Sequence, residues 1–243
     1  MMVPPTGPEP APLNSIADVI DRMERLSSAM PPGDGVRAFN EMYLVTTRQV
    51  AAALGGAQFA DPAFMTRLDV VFANLYLHAL DLHDADRSRT PRSWAALFDA
   101  RARPGISQLQ FAVAGMNAHI NFDLSRALVL TAQEVGGALD AGRRADFQAV
   151  NRVLGITQPM VRHELLTGPF ATLDQALGEH DDRVSLWGIE AAREFAWSTA
   201  LTLWAVRGTP VEDAFTQGLD RMVELTSRLV LQGTAQSVRD DHP

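Results

Sequence analysis

The chain has 243 residues, 47% of them hydrophobic and 21% charged, with a net charge of -8. That is enough chain for one large domain with a substantial core, and its acidity argues against nucleic acid or an anionic membrane as partner. There is no Cys and no Lys, which removes disulfides, thiolate nucleophiles, Cys-ligated metal, Schiff-base lysines and P-loop lysines.

The first 13 residues are rich in Pro and have no periodicity. They are expected to be a flexible tail, with neither the basic nor the apolar region of a signal peptide. The segment 14–30 places Ile16, Val19, Ile20, Met23 and Leu26 on one face, with Asn14 or Ser15 as N-cap. A second helix over 36–56 is ended by Gly55 and Gly56. Asp61 followed by Pro62 opens a third, reaching to about His83. Pro91 opens a short helix containing Trp94, Leu97 and Phe98, and the apolar stretch 104–137 reads as a central helix. Two shorter helices follow, 144–155 and 159–168, and then a long one over 181–208 bearing Trp187, Trp197 and Trp204. Thr209, Pro210 and Glu212 form a capping-box pattern that opens the last helix, to about Gln232. Residues 233–243 read as a second flexible tail.

No alternating β-branched run lies between turn signals, and no repeat of fixed period is present. The expectation is one all-α domain over 14–232, packed around a buried central helix, in a cytoplasmic protein without a membrane span.

The central helix carries Asn117, His119, Asn121 and Asp123 where a core is expected. At about 100° per residue, Asn117 and Asn121 share one side while His119 and Asp123 share the nearly opposite one. Val113, Met116, Ile120 and Leu124 fill the sector between them, and Arg126 follows Asp123 at i+3. An unpaired buried polar group costs about 1–3 kcal/mol, so these four must be paired or face a cavity. The Asn pair reads as a tie between helices or as a polar anchor for a substrate. The His119/Asp123 pair has three readings: a structural pair, two ligands of a divalent metal ion, or an imidazole whose tautomer the carboxylate fixes for acid/base work. Ala112 and Gly115 precede His119 on its side, and their small size is expected to leave room beside the imidazole.

Candidates to complete such a site are Asn74 and His78, on one face of the third helix, and Glu194 and Trp197, in a stripe with Glu190 and Arg193. Asp69, flanked by Leu68 and Val70, is expected to pair with an arginine such as Arg193. His163, His180 and His242 carry no functional reading. Nucleophile elbow, dinucleotide, His-Glu-x-x-His and Walker motifs are all absent, as are the two Glu-x-x-His motifs of a di-iron bundle.

The stretches RLDVVFANLYLHAL, SWAALFDA, LQFAVAGMNAHINFDLSRAL and AAREFAW resemble the uncharacterised bacterial family DUF5995, from about Arg67 to Leu203. The resemblance makes the central helix the family's centre and implies no particular reaction. The His-x-x-x-Asp element is also similar to one used by helical zinc-dependent phospholipases C and S1-type nucleases, which assemble several further His and Asp ligands. Taken together, the sequence predicts an enzyme acting on a small molecule at a His119/Asp123 pocket. Its chemistry would be metal-assisted hydrolysis or metal-free lyase, isomerase or cyclase chemistry. The rival expectation is a ligand-binding or structural helical protein.

Overall fold

A computed structural model describes the backbone of residues 11–56, 59–167 and 181–232, and the side chains of these except 156–167 and 181–187. Every regular element among them is helical: α1 (Ile16–Ala29), α2 (Gly35–Leu54), α3 (Pro62–Ala85), α4 (Arg92–Ala100), α5 (Gln108–Ala118), α6 (Leu124–Val135), α7 (Ala141–Thr167), α8 (Asp181–Val206) and α9 (Pro210–Val230). A single π-helical turn, His119–Asp123, joins α5 to α6 without a break, so 108–135 is one continuous central helix.

The helix starts follow local chemistry. Ser15 caps α1 by accepting from the Asp18 amide, Asp34 caps α2, and Asp61 accepts from the Phe64 amide ahead of α3, with Pro62 in its first turn. Ser107 and Gln110 form a reciprocal capping box at α5. At α9 the expected box is not formed. The Thr209 hydroxyl turns back to donate to the Val206 carbonyl, and Glu212 accepts from the Gly208 amide instead.

Two other expectations change. The sequence suggests a break between 155 and 159, but α7 runs on to Thr167. Pro159 lies inside it, without the backbone donor of its turn. Leu13, in the stretch read from composition as a tail, is also held. Leu13 packs on the core, and its amide and carbonyl are both bonded to the Asn74 side chain, at 2.9 and 2.8 Å.

The core has two parts. One is built from α1, α2, α4, α5, α9 and the C-terminal half of α3. The other joins the N-terminal half of α3 and the end of α2 to α6, α7 and α8. Phe72 packs against both, and the π turn lies where they meet. Helix α2 reaches α5 through a reciprocal contact: a Cβ at Gly35 would lie 2.4 Å from the Phe111 ring, and one at Gly115 would lie 2.3 Å from the Phe39 ring. Two glycines thus let two aromatic rings lie directly on helical backbone, and any side chain there would have to displace them.

Candidate functional site

His119 and Asp123 are both buried, at 3% and 1% exposure. The π turn carries both: the Leu124 amide bonds to the His119 carbonyl, five residues back, in place of the usual four. Such a turn widens the helix by one residue. Here it sits where His119 and Asp123 enter the core.

The two side chains have opposite surroundings. Asp123 is fully engaged: Oδ2 accepts from Trp94 Nε1 at 2.8 Å, and Oδ1 pairs with Arg126 Nη1 at 3.3 Å. His119 Nδ1 lies 3.6 Å from Asp123 Oδ2, longer than a hydrogen bond, and neither ring nitrogen has a hydrogen-bond partner. The imidazole is held by aromatic packing instead. Phe72 stacks on it with centroids 3.5 Å apart and planes within 6°, and Tyr43 approaches edge-on at 4.3 Å. Phe39 and Trp94 close the ring of neighbours. Burial pushes the His119 pKa below its ordinary value, and the proximity of Asp123 opposes this without reversing it. The ring is therefore neutral near pH 7. Asp123 beside Nδ1 favours the proton there, leaving the lone pair on Nε2.

His119 lines a cavity of about 140 Å³. An apolar cavity of about that size accepts a benzene-sized molecule. Its walls are Phe39, Met42, Tyr43, Thr46, Thr47 and Val50 of α2; Met65, Leu68, Asp69 and Phe72 of α3; Met116, His119, Ile120 and Leu124 of the central helix; Phe147, Val150 and Leu154 of α7; and Ile189 and Arg193 of α8. Most of this surface is apolar, and a few polar groups stand out.

Asp69 is one of them. Its residue is partly buried, but Oδ2 is out of contact with solvent and has no hydrogen-bond partner. Burial with no compensating cation pushes its pKa up to about 7. The Tyr43 hydroxyl is likewise buried and unbonded. Burial, and then the negative charge of Asp69, raise its pKa well above the ordinary phenol value. By contrast, the hydroxyl of the neighbouring Tyr76 donates to Asn40. Arg193 does not pair with Asp69 as the sequence suggests. Its Nε donates to Asn151 Oδ1 and its Nη2 to the Phe147 carbonyl, both at 2.6 Å, with the guanidinium over the Phe147 ring.

Several sequence candidates lie elsewhere. Asp123 does not reach the cavity, because its carboxylate is turned to Trp94 and Arg126 behind the imidazole. Asn117 donates to the Val223 carbonyl and to Ser227 Oγ, and its own oxygen accepts from Asn121. The Asn pair therefore ties the central helix to α9 and stands outside the cavity. Asn74 holds Leu13, and His78 is exposed. Glu194 is bonded to Arg144 and Gln148. Trp197 is a core residue packed on Phe147, with centroids 5.2 Å apart. The side chains of His163, His180, His242 and Trp187 lie outside the described residues. Neither Gly115 nor Ala112 lines the cavity, and the Phe39 ring fills the hollow over Gly115.

A metal at His119 and Asp123 needs at least a third side-chain ligand, and the described residues bring no group of three His, Asp or Glu together. With the Asp123 oxygens already bonded to Trp94 and Arg126, these residues do not fit a divalent ion.

The cavity residues and the polar stretch of the central helix fall within 16–233, the span matched by the model of a family described as "Family of unknown function (DUF5995)". The chain belongs to DUF5995. The match extends the resemblance in both directions from 67–203 and takes in every helix of the fold. No curated protein and no solved structure matches this DUF5995 chain. No helix among its described residues is long and apolar enough to cross a membrane.

Nothing in the sequence marks Tyr43 or Phe72, since each is an aromatic residue at an ordinary core position of an amphipathic helix. The apolar neighbours of Asp69 do mark it, but as half of an ion pair.

Proposed function

We propose that the chain is a cytoplasmic enzyme that moves a proton on a small, largely apolar molecule, with His119 as general base. One observation carries this reading: a neutral, buried imidazole with both nitrogens unbonded, on the wall of a cavity of about 140 Å³. A buried polar group without a partner costs stability, and a ligand that supplies the partner offsets that cost. Asp123 is a positioning residue. It selects the Nδ1–H tautomer and stabilises the imidazolium that forms when Nε2 takes a proton. The apolar walls exclude water that would otherwise compete for the base. The reaction class is therefore a metal-free lyase, isomerase or cyclase reaction. The net charge of -8 accords with a small-molecule partner rather than nucleic acid.

The test needs no prior substrate. A mixture of small metabolites is incubated in D2O with the wild-type protein or with His119→Gln, and mass shifts are read by mass spectrometry. Deuterium gain, or gain or loss of water, that requires the wild-type protein and is lost in His119→Gln supports the reading. Retention of metabolites by both proteins, with no mass change, would support the rival reading of a carrier.

A further inference from the structure

Three side chains on the cavity wall carry polar atoms that no protein group satisfies: His119, Asp69 and Tyr43. They come from three different helices, the central helix, α3 and α2, and the wall's other hydroxyls, Thr46 and Thr47, donate instead to the Met42 and Tyr43 carbonyls. The inventory is asymmetric. Tyr43 presents a hydroxyl donor. Asp69, when protonated, presents a second donor. His119, with its proton on the Asp123 side, presents an acceptor on Nε2. Arg193 lines the same cavity, where its Nε and Nη2 donate to the neutral oxygens of Asn151 and Phe147.

We infer that the ligand is a compact, uncharged carbonyl compound bearing hydrogen on the carbon next to the carbonyl. Its oxygen accepts from Tyr43 and Asp69, and its C–H faces His119. This rests on the proposed role of His119 as base and adds the substrate class and the acid partner. The step balances as follows. The C–H bond breaks and its proton goes to Nε2. The electron pair forms the C=C bond and moves the carbonyl pair onto oxygen, which takes the Asp69 proton. The products are an enol, an imidazolium and a carboxylate, and return of the two protons resets the site. No redox partner and no metal enters the balance.

Other ligand chemistries fit less well. A carboxylate ligand would be repelled by Asp69 once that group ionises, and the guanidinium on the wall, Arg193, already donates from Nε and Nη2 to Asn151 and the Phe147 carbonyl. An ammonium ligand offers donors only, so the Tyr43 hydroxyl proton would remain without an acceptor. Asp69 has its pKa raised to about 7, so it holds a proton to donate up to near-neutral pH.

The test uses cyclohexanone as probe, with cyclohexylammonium as a cation of similar size, on the full chain. Binding is read by ligand-observed NMR, and exchange of the protons next to the carbonyl by deuterium uptake. Cyclohexanone is expected to bind the wild type at about pH 6 and to weaken by up to tenfold per pH unit above about pH 7, as Asp69 loses its donor proton. Asp69→Asn, which keeps a donor at every pH, should remove that dependence. Tyr43→Phe should weaken binding about fivefold at all pH values, the loss of one net hydrogen bond. The inference is overturned if cyclohexanone does not bind at millimolar concentration, if its binding ignores both substitutions, or if cyclohexylammonium binds more tightly. The two readings can fail separately. Binding that depends on Asp69 and Tyr43 with no exchange by the wild type removes His119 as base and leaves the ligand class standing. Exchange that depends on His119 but is unchanged in Asp69→Asn and Tyr43→Phe keeps the base and removes this assignment.

Discussion

Replacing Asp69 with Asn isolates the energetic consequence of the cavity's unpartnered carboxyl. In the folded chain this group has its pKa raised from 3.8 to about 7, by burial with no cation nearby. Between those values the folded state holds a proton that the unfolded state releases. Stability from this group is therefore fully present below about pH 4 and lost as the pH rises through about 7. The shift corresponds to about 4 kcal/mol at about 1.4 kcal/mol per unit. Water reaching the partly exposed residue screens the charge, which brings the expected effect to about 2–4 kcal/mol. Asn is nearly isosteric with the protonated acid and does not titrate. The variant should match the wild type within about 1 kcal/mol at pH 4 and exceed its stability by about 2–4 kcal/mol at pH 8. Urea denaturation of both proteins across that range measures the difference, in which the remaining acidic residues cancel. A difference that stays flat with pH, or a variant less stable at pH 8, would refute the argument, because Asp69 would then titrate as a solvated carboxylate.

Gly115→Ala places a Cβ about 2.3 Å from the Phe39 ring. It should cost about 1–3 kcal/mol in thermal or urea unfolding, because the ring can only move toward its neighbours, His119 among them. Asn117→Ala removes the donor to Val223 and Ser227 and should cost about 1–3 kcal/mol, while leaving cyclohexanone affinity unchanged if the Asn pair only ties α9 to the centre. Asp123→Asn should keep one acceptor for Trp94 but lose the charge beside Nδ1. Nitrogen NMR of the His119 ring should then show the Nε2–H tautomer gaining population, and deuterium exchange should fall at least tenfold.

What the sequence determined by itself is the helical architecture and most of its punctuation. The 3.6-residue period of the apolar positions, Ser15 and Asp61 at helix starts, and Gly55 and Gly56 at a helix end are local signals. They act over a few residues and survive into the structure. The polar stretch at 117–123 was legible as the place where the core is interrupted, and Asn117 meets Asn121 while His119 lies beside Asp123, as the spacing predicts. Which side faces a ligand was not legible, because that depends on what packs opposite each helix. The Asn pair meets the Val223 carbonyl and the Ser227 hydroxyl of α9 and is satisfied there. The imidazole meets Phe72, Tyr43 and Phe39, none of which gives it a hydrogen bond, so it is left unbonded. Asp69 shows the same limit. Its apolar neighbours announced a buried acid, but the guanidinium expected to neutralise it is held by Asn151 and the Phe147 carbonyl on the helix it packs against. The π turn, the reciprocal Gly–Phe contacts and the cavity have no local code. Each arises from the meeting of residues more than 60 positions apart or from the fit of several helices at once, and only tertiary packing decides such meetings.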